Sequence, residues 1–238
     1  MSTAVNPWLA FPDGRPSASL TRQLRAAHER LVTRCGLPND SLPLDNAVRS
    51  VVRDSWRRSL GSGVDPDGSA PPVELLDDDL LAYRAAHPLA PVMPVIRRLL
   101  VQDAEADQMI VAVTDAEGRM LWVEGDSRLR SRAAGMHFVE GARWAEDVVG
   151  TNAPGTALAV DHAVQIYGSE HFRRPEICSR CSQRSSASTA ATVARTSVST
   201  CGLATWSPPV TSIAPSSAPV TGSCTGAAAQ LHGWTVRR

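Results

Sequence analysis

Residues 141–172 read Gly141-Ala-Arg-Trp-Ala-Glu-Asp-Val-Val-Gly-Thr-Asn-Ala-Pro-Gly-Thr-Ala-Leu-Ala159, a four-residue bridge, then Val164-Gln-Ile-Tyr-Gly-Ser-Glu-His-Phe172. Gly150-Thr151-Asn152 opens a helix over 153–160. Either Thr151 or Asn152 can cap it, and Pro154 is tolerated in its first turn. Residues 163–167 are short, apolar and β-branched, which predicts a strand. Upstream, Met109-Ile-Val-Ala-Val-Thr114 reads as a central strand and Asp115-Ala-Glu-Gly118 as a hairpin turn, Gly118 being free to take positive φ. Met120-Leu-Trp-Val123 is the returning strand, and residues 127–135 form a short Arg-rich helix. Hairpin, helix and strand together predict an α+β domain.

Working toward the N-terminus, residues 1–18 are rich in Pro and Ser and are expected to be flexible. Leu20, Leu24, Ala27, Leu31 and Val32 fall at helical spacing, which Gly36 and Pro38 stop. A second helix is expected from near Asp45, with Val48, Val51, Val52, Trp56 and Leu60 as its apolar stripe. Its exposed face would carry Arg49, Arg53 and Arg57, with Arg58 beside them. Residues 61–72 make a linker, and two more helices are expected over 73–86 and 91–102.

The 238 residues carry 24 acidic and 24 basic side chains, so no whole-chain field favours nucleic acid. All acids lie at or before Glu176; the 62 residues after it hold five Arg and no acid. There is no Lys anywhere. This acid-poor Ser/Thr/Ala/Arg/Pro tail lacks a sustained helical or strand period, and it reads as the product of a frame shift shortly after Phe172. The tail is therefore expected to be disordered. No signal peptide and no membrane-spanning run is read, which predicts a cytoplasmic protein.

Several motifs occurring in one order resemble the N-terminal GAF sensor region of bacterial transcriptional regulators of the acetoin catabolism regulator type. They are Asp54-Ser-Trp-Arg-Arg-Ser59, His87-Pro-Leu-Ala90, Val113-Thr-Asp-Ala-Glu-Gly-Arg119, the Gly141–Ala159 run and the Glu-His-Phe ending at 172. The resemblance covers roughly residues 45–172. It implies N-terminal helices followed by an antiparallel GAF-type sheet with flanking helices, here incomplete because the later strands would fall in the tail. The expected organisation is a flexible 1–18, a helical region 19–104, a partial GAF-like sensor domain 105–172 and a disordered 173–238. The implied role is ligand-sensing control of transcription without a DNA-binding output module on this chain. Implied partners are a small-molecule effector and a second copy, joined through the N-terminal helices, with no membrane or direct nucleic-acid contact.

The effector pocket is expected between the sheet and residues 141–156. Trp122 and Trp144 would supply apolar wall, Thr151 and Asn152 a helix N-terminus, and His171 an ionisable group. Each also has a plain structural reading: core tryptophans, helix caps, and Glu170-His171 ordering a loop. Asp115 and Asp126 flank the hairpin and read as turn residues. No catalytic residue, cofactor or metal is expected. The alternatives are a GAF-type redox enzyme using cysteine, for which only Cys35 precedes the tail, and a zinc module built on Cys178-x-x-Cys181 with His171, Cys201 and Cys224.

Overall fold

The computed structural model describes residues 6–10, 17–33, 48–102, 104, 107–174, 181–188 and 196–203. Helices α1 (Ala18–Thr33) and α2 (Ser50–Gly61) come first. Helix α3 (Asp77–Ala86) follows, then α4 (Met93–Ile96), entered by a 3-10 turn over Ala90–Val92 and continued by a π turn over Arg97–Val101. The hairpin is β1 (Met109–Thr114) and β2 (Met120–Gly125). After it come α5 (Ser127–Ala134), the single turn α6 (Glu146–Val149), α7 (Ala153–Val160) and β3 (Val164–Tyr167). The periodic elements thus stand close to where their patterns place them, with α2 beginning five residues and α3 four residues later than expected.

Strands β4 (Cys181–Ser188) and β5 (Thr196–Leu203) lie at the centre of the sheet, giving the antiparallel order β2-β1-β5-β4-β3. Both strands lie past Phe172, in the stretch where the sequence reading expects a disordered tail. The two strands, rich in Ser, Thr and other small residues, carry little apolar periodicity, but a strand bonded on both sides depends strongly on its neighbours as well as on its own pattern. The disorder expected beyond 203, and Cys35 and residues 1–5, lie outside the described residues. No helix among the described residues is long and apolar enough to cross a membrane.

Register shows which helices share a face. Ile110 sits opposite Cys201, Cys201 opposite Gln183, and Gln183 opposite Ile166. These positions form one register row across the sheet and so share a face. Ile110 packs with Leu129 and Ala133 of α5, Phe138, Trp144 and Val149. Ile166 packs with Leu24 and Leu31 of α1, Val52 and Trp56 of α2, Ala157 of α7 and Phe172. Those elements therefore cover the same face. Successive residues alternate sides, so Val113 and Trp122 face the other way. There they meet Leu89, Met93 and Ile96.

Two glycines are dictated by close approach. Gly118 turns the hairpin at φ +81, and a Cβ there would stand 2.8 Å from the Ala145 nitrogen. Gly150 sits at φ 76, ψ −165, a region essentially closed to side chains, and a Cβ would stand 2.5 Å from Cβ of Phe172. Asn152 is the cap of α7: its Oδ1 accepts from Gly155 N at 2.8 Å and its Nδ2 donates to Gly150 O at 2.7 Å. Gly150→Ala is expected to cost at least about 1–3 kcal/mol from backbone strain alone. Asn152→Ala should cost about 1 kcal/mol. Urea denaturation followed by circular dichroism measures both; a Gly150→Ala midpoint matching wild type would show that Phe172 does not bear on the glycine.

Candidate functional site

The Asp54–Ser59 motif is the buried face of α2. Ser55, Trp56 and Ser59 are fully buried, one turn apart, while Arg57 faces solvent and pairs with Asp54. From that face α2 reaches two loops. At one end the Ser55 hydroxyl donates to Glu146 Oε2 at 2.7 Å, and Arg58 Nε donates to Glu146 Oε1 at 2.6 Å. With the Ser55 proton so engaged, the Thr151 hydroxyl is left to donate to Ser55 at 2.6 Å. Thr156 Oγ1 stands 3.2 Å from Ser55 Oγ, and the Ser59 hydroxyl donates to the Ser55 carbonyl at 2.9 Å.

At the other end stands Arg49. Its Nε and Nη2 bind the two oxygens of Glu170 at 2.9 and 2.6 Å. Nη2 also donates to the Gln165 carbonyl at 2.6 Å, and Nη1 to the Pro7 carbonyl at 2.6 Å. Trp56 Nε1 donates to the Glu170 carbonyl at 2.9 Å. Glu170 is 2% exposed, so its charge is carried almost wholly by this pairing. Arg49, 12% exposed, therefore does not belong to a solvated stripe, whereas Arg58 stays 41% exposed while its guanidinium reaches Glu146. The helix starts at Ser50, and Arg49 precedes it in extended conformation, φ −57 and ψ 147, which takes its side chain off the helical wheel.

Helix α1 locks onto the same loop. His28 Nε2 donates to the Phe172 carbonyl at 2.8 Å, and its ring lies edge-on to Trp56. Burial lowers the His28 pKa; the bond to Phe172 opposes this, while nearby Arg174 and His171 add to it and Glu29 opposes it.

The expected site residues divide. Thr151 and Asn152 lie on the α2 side, both buried, with Phe172 N donating to the Thr151 carbonyl at 3.0 Å. His171 is next to that contact, its Nδ1 on the Gly168 carbonyl at 2.9 Å. Trp144 shares the sheet face but packs edge-to-face on Phe138 and donates through Nε1 to the His137 carbonyl at 3.0 Å. Trp122 is on the opposite face, against α4, and is not brought together with the others. The hairpin and the Val113–Thr114 bulge set that side. Asp115 accepts from the Glu117 and Arg119 amides, and Asp126 caps α5 by accepting from Leu129 N, so both are turn and cap residues.

The residues missed by sequence reasoning are Ser55, Arg58 and Glu146, with Arg49 assigned to the wrong surface. Their signal was two acids, Glu146 and Glu170, set within apolar motifs, and two Arg, Arg49 just before α2 and Arg58 within it, flanking its apolar stripe. Among the described residues no group of three or more His, Cys, Asp or Glu could hold a metal ion. Cys178 and Cys224 lie outside the described residues, while Cys181 and Cys201 occupy neighbouring strands two register positions apart.

The family model described as MimR, N-terminal domain, matches residues 25–198, running past Phe172 through β4 into β5. An "Uncharacterized 47.3 kDa protein in thcA 5′region" of Rhodococcus erythropolis is 53% identical over 169 residues, covering 71% of this chain and 39% of that one. The acetoin dehydrogenase operon transcriptional activator AcoR of Bacillus subtilis is 36% identical over 132 residues, covering 54% and 22%. The propane 2-monooxygenase operon transcriptional activator MimR of Mycolicibacterium smegmatis is 34% identical over 129 residues, covering 53% and 21%. The chain thus spans well under half the length of these relatives. In fold it is similar to a chain of the E. coli DhaR(N)-DhaL complex, at TM-score 0.54 and 15% identity over 66% of this chain and 54% of that one.

Two measurements check the α2 interface. Ser55→Ala leaves Glu146 Oε2 and the Thr151 hydroxyl without their buried partner and should cost about 1–3 kcal/mol. For His28, a lowered folded pKa means that the unfolded chain binds more protons below the ordinary value of 6.5. Stability is then fully present above that pH and is lost as pH falls through it toward the folded pKa. His28→Gln keeps an N–H for Phe172 but does not titrate. Wild type should therefore lose more melting temperature than His28→Gln between about pH 7.5 and 5.5; parallel losses would mean that His28 is charged in the fold.

Proposed function

The chain belongs to the MimR N-terminal domain family, and from that membership we propose that it is the ligand-sensing, GAF-type regulatory domain of a bacterial transcriptional regulator that acts in the cytoplasm. One observation supports this reading most: α2 is bound at both ends, through Arg58–Glu146 and Arg49–Glu170, to the loops that precede α7 and follow β3. A sensor needs its ligand-bearing loops joined rigidly to an element that leads elsewhere in the protein.

The mechanism is a population shift. An effector that binds one arrangement of these loops better than another biases how α2 is held, by no more than its difference in affinity for the two. The candidate contacts are Trp144, Thr151, Asn152 and His171, which share the α2 side of the sheet; Trp122 would report from the far face. Hydroxyls and amides already bonded to one another suit an effector with its own donors and acceptors, since it can replace those bonds. DNA binding then belongs to another module, and no catalytic step is assigned to this chain.

A homodimer through the N-terminal helices would have to use their polar faces, because the apolar stripes of α1 and α2 are buried against the chain's own sheet. A second reading replaces the small molecule with a protein. The neighbour in fold was solved in complex with DhaL, and a partner protein seated here would bias α2 by the same linkage.

Acetoin and other small hydroxylated or keto metabolites are the first probes, given what the relatives regulate. Binding should raise the melting temperature saturably and change tryptophan emission, and Trp144→Phe should remove most of the emission change. If probes that activate a reporter driven by the regulator leave both signals flat, the chain is not the sensor.

A further inference from the structure

The joint that holds α2 has two unequal halves. At the first, Arg49 is 12% exposed and its guanidinium makes four hydrogen bonds, two to Glu170 and one each to the Gln165 and Pro7 carbonyls. Glu170 also accepts the Tyr167 N–H at 3.0 Å, and its carbonyl takes Trp56 Nε1. At the second, Arg58 is 41% exposed, and among the described residues its guanidinium bonds Glu146 alone, at 2.6 and 3.1 Å. The other groups there are the buried hydroxyls of Ser55, Ser59, Thr151 and Thr156.

Burial decides which half is the weaker. Water reaches the Arg58–Glu146 pair on the cation's side, and a pair that is hydrated as it parts is held only weakly. Glu170 has no such access, so parting it from Arg49 strands a buried charge. The hydroxyls resist little. A serine inside a helix can turn back to the carbonyl four residues before it, and Ser59 already does so, donating to the Ser55 carbonyl. The elements on either side also keep anchors of their own. Helix α2 keeps Arg49 and Trp56. Turn α6 keeps Val149, which shares an apolar cluster with Ile110, and its Val148 carbonyl, which accepts from Arg173 Nη2 at 2.9 Å.

We propose that the joint opens in a fixed order: Arg58–Glu146 parts while Arg49–Glu170 holds, and a cleft forms between α2 and α6. Its walls carry a carboxylate, a guanidinium and the four hydroxyls. The cleft opens and closes in the free chain. Its use rests on the proposed sensing role, in which the effector works on this half of the joint and leaves the other in place.

The test reads thiol labelling in the folded chain. Ser59→Cys puts a buried thiol in the second half, and Val52→Cys, two turns earlier and equally buried, puts one nearer the first. A small maleimide is added in native buffer, and peptide mass spectrometry separates each label from those on the five native cysteines. Ser59→Cys should label at least about tenfold faster than Val52→Cys, because a local opening costs less than a global one. Adding Arg58→Gln should speed Ser59→Cys alone, whereas Arg49→Gln should speed both; thermal melts confirm folding. Equal rates for the two thiols overturn the proposal, and that comparison decides even where an arginine variant does not fold. A folded Arg58→Gln that leaves Ser59→Cys unchanged overturns it as well. Acetoin, or another probe that raises the melting temperature, should change the labelling of Ser59→Cys and not of Val52→Cys; the reverse would move the effector's hold to the first half. If no probe raises the melting temperature, the sensing role fails, while the ratio of the two rates still decides the order of opening.

Discussion

A buried carboxylate must find a cation or forfeit its charge, and in this chain that demand falls on Glu170. Its partner, Arg49, comes from 121 positions upstream and meets it with both oxygens engaged. The same guanidinium closes a strand edge and holds the segment at Pro7. Leaving Glu170 unpaired at this depth would cost several kcal/mol, far more than a surface pair contributes. The rest follows geometrically. Once Arg49 is fixed, the first turn of α2 is fixed, Trp56 reaches the Glu170 carbonyl, and Ser55 and Arg58 meet Glu146. A second paired carboxylate, less deeply buried on the arginine side, completes the joint.

The two motifs most visible in sequence thus turn out to be the two halves of a receptacle. The Trp-Ala-Glu of 144–146 and the Glu-His-Phe of 170–172 each supply one acid, and α2 with the residue just before it supplies both cations. Hydroxyls fill the space between. Such a joint is specific in a way an apolar contact is not: a one-turn slip of α2 would strand two charges and several hydroxyls at once. That gives the helix a few discrete positions and makes it suitable for carrying a state from one part of the protein to another.

Legibility tracked periodicity. Helices α1 and α2, the β1–β2 hairpin, α7 and β3 could all be read because apolar residues recur at 3.6 or 2 positions and Gly, Pro, Asn or Asp mark their ends. Helix α6 is one turn and has no period to read. Strands β4 and β5 were missed because Ser and Thr at central positions carry almost no apolar alternation. Of the expected site residues, Thr151, Asn152 and His171 lie near one another beside α2. Trp122 does not: both tryptophans are apolar, and only the bulge before Thr114 and the strand alternation decide which side each takes. Arg49 was misassigned for a different reason: a helical wheel cannot describe a residue that stands outside the helix.

Gly150 against Phe172 carries a consequence for descent. The two positions lie in separate motifs, yet the ring of one occupies the space where any side chain of the other would grow. Neither can drift alone. In a set of descendants the glycine and the aromatic should be inherited as a pair. A lineage that gained a side chain at 150 would be expected to have first given up its ring at 172, a small residue taking the place. The order of those two steps would leave a record in the sequences themselves.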